Sequence, residues 1–299
     1  MPALRDSIGT RFRRIITSTD DGIPPWLANV QSGEPEGLFT PADEPWIVHA
    51  NLTTLIGGIR ALLMQALHPG SLAGVADHSR YEADPLGRLA GTTRWLTILT
   101  FGSHSAIAKE SARVNGMHSR VKGEYTNSKG DSKHYQAQDY DLLLWVHIAF
   151  TDSFLQTFQL YSGRKISADE YVRKWSQAVT PLGLVDAPLS ASELQEALNS
   201  FYERGVLEVN DTTRKVVKFI QHPPLSRTAR FAYWFLFQAA LSSIPTQYQK
   251  MLGLRALPLG MVRPVTLKFV ALMRFAIGKR SPLEEAALTR MGLPLTNSH

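Results

Sequence analysis

Apolar positions recur at helical spacing along nearly the whole chain. Between Pro45 and Leu67, residues Leu52, Leu55, Ile56, Ile59, Leu62, Leu63 and Ala66 repeat every three or four positions, which predicts one helix. His68-Pro69-Gly70 ends it, because proline disfavours helical geometry in its predecessor and glycine releases the turn. Ser71 to His78 fits a short helix. Asp84-Pro85 then restarts the chain, with aspartate as N-cap and proline at the first helical position, and the helix runs to Phe101 with Gly102 closing it. The next pattern spans Ala106 to Lys122, capped by Ser103 or Ser105 and stopped by Gly123. Glu124 to Gln138 is polar and reads as a loop. Asp139 to Tyr161 is apolar on most faces, the mark of a helix at the centre of a domain.

The later segments carry helix punctuation. Ser167-Ala-Asp-Glu170 and Ser190-Ala-Ser-Glu193 have the form of capping boxes and start helices near 168–180 and 191–204. Further helices fit 211–220, 227–246 and 261–278. Residues 17–44 are rich in Pro, Gly and Asp and read as irregular. No strand alternation is long enough for a major sheet, and no internal repeat occurs. The expected fold class is all-α: a lead-in over 1–44, a single multi-helix domain over 45–250 and an amphipathic helix with a tail over 251–299 packed on it.

Composition narrows the chemistry. The 299 residues are 44% hydrophobic, enough for a sizeable core in one large domain or two intimate ones. There is no cysteine, which removes disulfides, thiolate-held haem, iron–sulfur clusters and cysteine-type zinc sites, and fits a reducing cytoplasm. The net charge of +6 comes from scattered residues, not a dense run, so no nucleic-acid partner is expected. No long apolar core follows the charges of Arg5 to Arg14, so the opening does not read as a secretory signal. Met261 to Lys279 mixes Leu267, Phe269, Val270, Leu272 and Phe275 with Arg263, Lys268, Arg274 and Lys279. Such a helix either lies on a lipid surface, peripheral to a membrane, or packs on its own domain, the commoner case.

His118 is the residue of greatest chemical interest. Ile107, Ser111, Val114, His118 and Val121 form one helical stripe, and Ala112 and Gly116 beside it leave room for a bulky group. Arg88 and Thr92, four residues apart, share a face of the preceding helix. An inward imidazole with a guanidinium and a hydroxyl nearby suits haem, whose iron takes imidazole and whose propionates pair with arginine. Spacing alone equally allows a hydrogen-bonded core histidine, and that is the more frequent outcome. His68, beside Pro69, and His147, inside the central apolar helix, stand as substrate-pocket candidates or as satisfied buried groups. No His-Glu-x-x-His, paired Glu-x-x-His, phosphate loop, dinucleotide glycine motif or Gly-x-Ser-x-Gly elbow occurs.

Several segments in order resemble a known family. They are Gly57 to Val75 (GGIRALLMQALHPGSLAGV), His78 to Thr92 (HSRYEADPLGRLAGT), Phe101-Gly102, Val114 to Gly123 (VNGMHSRVKG), and Tyr135 to Asp139 followed by Leu144-Trp-Val-His147. Together they are similar to the bacterial and fungal family that contains the latex-clearing rubber oxygenases and the MpaB-type oxygenases, over about residues 45–250. The resemblance implies an all-α fold, b-type haem, His118 in His-x-x-Val-x-Gly as the axial iron ligand, and Arg88 and Thr92 lining the haem pocket. Gly91 stands where rubber oxygenases carry lysine, and their upstream acidic residue has no counterpart here; both departures argue against polyisoprene as substrate. The resulting expectation is a haem-dependent oxidoreductase, an oxygenase of a small apolar organic molecule using dioxygen or peroxide. The alternative is a non-catalytic haem-binding or lipid-surface protein.

Overall fold

A computed structural model describes Thr19 and residues 22–78, 85–278 and 280–295 of the chain. Among these residues are fourteen α-helices, two short 3₁₀ turns and one two-stranded hairpin, so the fold is all-α as the periodicity predicts. The axis of the molecule is the central helix Tyr140–Tyr161, which buries Trp145, Ile148, Phe154 and Phe158. Helix Thr54–Gln65 lies along it and contributes Ile56, Leu63 and Met64 to the same core. Their closeness depends on Gly57: a Cβ there would sit 2.6 Å from the Phe154 ring and 2.9 Å from the Thr157 hydroxyl. Helices Ala191–Glu203, Ala168–Trp175 and Leu259–Ile277 pack around this pair, and Arg227–Ser242 covers Thr54–Gln65.

Capping follows the sequence closely. Ser167 and Ser190 accept the backbone N–H groups of Glu170 and Glu193, and Asn210 forms a reciprocal box with Thr213 at the start of helix Asp211–Gln221. A further helix, Pro282–Arg290, lies within the expected tail. Ser281 caps it, Pro282 opens it, and Arg290 at its end donates to the carbonyls of Val30 and Phe101. That one guanidinium ties the C-terminal helix to helix Leu27–Gln31 and to the buried C-terminal end of helix Pro85–Phe101.

Three expected boundaries differ. The single helix over 45–67 is two, Glu44–His49 and Thr54–Gln65, because the Asn51 side chain accepts the Thr53 N–H at 3.0 Å and turns the chain. The segment over 227–246 stops at Ser242, and a short helix Thr246–Met251 follows Pro245. The expected loop over 124–138 is largely a β-hairpin, Lys122–Thr126 paired antiparallel with Ser132–Gln136. Its turn closes on the Asn127 side chain, which accepts the N–H groups of Lys129 and Asp131. Tyr135 anchors the hairpin on helix Pro69–His78 by donating to Asp77 at 2.7 Å. No described helix is long and apolar enough to cross a membrane.

Candidate functional site

Helix His104–His118 begins at Ser103, whose hydroxyl accepts the Ala106 N–H, and ends at His118 itself. It is shorter than the periodicity predicts, since Lys122 is already in the hairpin. The expected stripe is real over its helical part: Ile107, Ser111 and Val114 are buried, and His118 is half-buried below them. Val121 lies past the helix end and sits against the Gly74 backbone, 3.3 Å from where a Cβ would be.

A charged clamp joins this helix to its predecessor. Glu110, 2% exposed, accepts from Arg94 at 2.9 Å and from Arg113 at 2.6 Å. Burial pushes the Glu110 carboxyl up, but the hydrogen bonds from Arg113 and Arg94 outweigh it and hold the group below its ordinary range. The clamp lies between the Gly102 turn and His118 at the far end of its helix, and Thr92 is two residues before Arg94 at the middle of the other helix.

Two polar atoms on the stripe have no hydrogen-bond partner among the described residues. The Nδ1 of His118 and the Oγ of Ser111, seven residues and so two turns apart, are both buried without a hydrogen bond. A buried polar group in that state costs about 1–3 kcal/mol, and the Nε2 of His147 shares it. Burial, with Arg113 nearby, lowers the His118 pKa and keeps the imidazole neutral, the form that binds a metal. Gly91 and Gly116 are exposed, so the open space beyond their Cα atoms is the protein surface. A neutral imidazole whose buried nitrogen has no partner among the described residues, at the end of an apolar stripe, fits haem as the group to be held. No cluster of three or more metal-ligating side chains occurs among the described residues.

The other candidates fall in different settings. Thr92 is half-buried on helix Pro85–Phe101. Arg88 lies one turn earlier on that helix, and its side chain, like that of His78, is outside the described residues. His68 is buried against Trp145 and Phe201, and its Nδ1 accepts the Ser71 N–H at 3.4 Å, so it caps helix Pro69–His78. Burial lowers its pKa to about 4. His147 is buried with its Nε2 unpartnered, and burial lowers its pKa to about 4 as well. A cavity of about 560 Å³ opens at the C-terminal end of the central helix, beside Tyr161, and His147 does not line it.

Two buried polar nodes match no sequence motif. Arg60, 1% exposed, pairs with Asp152 at 2.6 Å and donates to the Ser153 hydroxyl at 2.8 Å. Asp152 also accepts from Gln195 at 3.0 Å, so one charge pair links three helices. His49 bridges the Thr100 and Tyr171 hydroxyls at 2.8 and 3.0 Å, and burial lowers its pKa to about 3. The signal for the first node was available: one arginine and one aspartate, each alone among apolar residues in a helix, need each other.

The fold is thus an all-α domain that holds several imidazoles in its interior, and the family it matches makes its class that of an oxygenase-type oxidoreductase domain. Residues 46–277 match the family described as the ER-bound oxygenase mpaB/B'/rubber oxygenase catalytic domain, and the chain belongs to that family. No curated protein and no solved structure matches it.

Proposed function

We propose that the chain is a haem b-dependent oxygenase of a small apolar organic molecule, with His118 as the iron ligand and dioxygen or peroxide as oxidant. Membership of an oxygenase family supports the reaction class. The observation that carries the cofactor is the buried, unpartnered Nδ1 of His118 at the end of an apolar stripe. When bound, haem supplies the oxygen chemistry that no side chain of this chain can provide. Val114, one turn before His118 on the same face, is buried and keeps that side of the helix apolar. The Arg94–Glu110–Arg113 clamp fixes the two helices relative to each other, and so fixes where His118 stands. Arg88 and Thr92 share one helix face and offer a guanidinium and a hydroxyl for a propionate or the oxidant.

His118→Ala tests the reading. The variant should keep its helical circular dichroism and lose stoichiometric haem after reconstitution. Wild-type haem content and an unchanged Soret position in that variant would remove His118 as ligand.

A second reading has its own observation. Met261, Val265, Leu272 and Phe275 form an exposed apolar stripe on helix Leu259–Ile277, with exposed Phe231 on the neighbouring helix. Lys268, Arg227 and Arg230 are exposed on the same two helices, which complements an anionic lipid surface. Under this reading the chain is peripheral to a membrane. Co-sedimentation with phosphatidylglycerol vesicles that falls in Leu272→Gln/Phe275→Gln supports it; equal recovery with and without vesicles rules it out.

A further inference from the structure

The 560 Å³ cavity beside Tyr161 shares no lining residue with helices Pro85–Phe101 and His104–His118, so it is separate from the imidazole site. Its size falls in the usual range of about 300–1,000 Å³ for small-molecule sites. One wall is apolar: Trp46, Ile47, Leu52, Leu267 and Val270. These residues come from helix Glu44–His49, the turn after it and helix Leu259–Ile277, and Ile47, Leu52 and Leu267 are only half-buried.

The opposite character is equally marked. Arg164, Arg274, Arg280 and Glu284 also line the cavity. Arg280 faces Glu284 at 3.9 Å, and that carboxylate further accepts a hydrogen bond from Trp46. Arg164 and Arg274 have no carboxylate within ion-pair distance among the described residues, so the cavity carries surplus positive charge. Two guanidiniums beside an apolar wall recognise a molecule with a compact anionic head and a hydrocarbon tail, because the head gains charge-assisted hydrogen bonds and the tail leaves water.

We propose that this cavity is a second binding site, for a single-chain anionic amphiphile whose carboxylate or phosphate head meets Arg164 and Arg274 and whose tail lies along Leu52, Leu267 and Val270. The site stands whether or not His118 holds haem.

Laurate, kept below its micelle concentration and titrated calorimetrically into the full chain, tests the proposal, with dodecanol as the uncharged control. The expected result is one saturable laurate site per chain, at least about tenfold tighter than dodecanol. Arg164→Gln/Arg274→Gln should weaken laurate at least about tenfold at an unchanged melting temperature, since neither residue has an ion-pair partner to lose among the described residues. His118→Ala should leave laurate affinity unchanged, and so should Phe275→Gln on the outer face of the same helix. No saturable binding, equal affinity for dodecanol, or indifference to the double arginine variant would overturn the proposal. So would loss of binding in His118→Ala, which would put the tail in the imidazole site, or in Phe275→Gln, which would put it on the outer surface.

Discussion

Replacing Asp152 by asparagine would leave the Arg60 guanidinium in the core without a counter-charge. Asparagine keeps the size of the side chain and still accepts from Gln195, so the change isolates charge. Arg60 retains the Ser153 hydroxyl at 2.8 Å and a long contact to the Ser243 carbonyl at 3.4 Å, both neutral acceptors. With the two residues 1% and 2% exposed, solvent cannot stand in for the lost carboxylate. Breaking a buried pair in this way costs about 3–5 kcal/mol. Against a total stability of about 5–15 kcal/mol that is a large share. Urea unfolding followed by circular dichroism at pH 7 should show the midpoint falling by that amount at unchanged slope. Arg60→Met/Asp152→Leu, which removes both charges, should recover to within about 2 kcal/mol of the wild type. The remaining deficit would come from Gln195 and Ser153 losing their partners. A loss below about 1 kcal/mol in Asp152→Asn would refute the reasoning, because it would mean that water reaches the pair.

Three further outcomes are expected. His49, His68 and His147 have folded pKa values of about 3, 4 and 4 against an ordinary 6.5, so the unfolded chain takes up their protons first as pH falls. Stability is therefore fully present above pH 6.5 and declines below it, each histidine approaching about 1.4 kcal/mol per pH unit until its folded pKa is reached; a urea midpoint that stays flat from pH 6.5 to 4.5 would contradict this. Arg94 is committed to Glu110, so Arg94→Ala should lower the melting temperature more than Arg88→Ala does, whereas Arg88→Ala should cost more haem uptake per folded molecule. The opposite assignment of the two effects would remove Arg88 from the proposed site. His147→Leu loses no hydrogen bond at Nε2, so its stability should stay within about 1 kcal/mol of the wild type; a larger loss would reveal a partner for that nitrogen.

The parts of the fold legible in advance are those written in neighbouring residues. Ser103, Ser167, Ser190 and Pro85 each mark a helix start where one is found. Ser281-Pro282-Leu-Glu284 carries the same punctuation, yet that helix was read as tail because the amphipathic pattern before it ends at 278. The hairpin was hidden for a different reason: its strands are five residues long, and Tyr135 is the one buried position in them, so no alternation is visible. Within the candidate site, the inward face of His118 followed from the stripe of Ile107, Ser111 and Val114. The absence of any partner for Nδ1 did not, since partners come from elements far away in the chain.

The sequence by itself determined the helical class, the caps and the apolar stripes, because helix formation answers to residues three and four apart and to their immediate flanks. Only the tertiary structure decided that Arg60 meets Asp152, that Arg94 is held by Glu110 rather than left for a ligand, that Gly57 lets two helices touch, and that Arg164 and Arg274 converge on one cavity. Those outcomes depend on which faces of distant helices come together. A periodic pattern says that a face is buried but carries no record of what it is buried against.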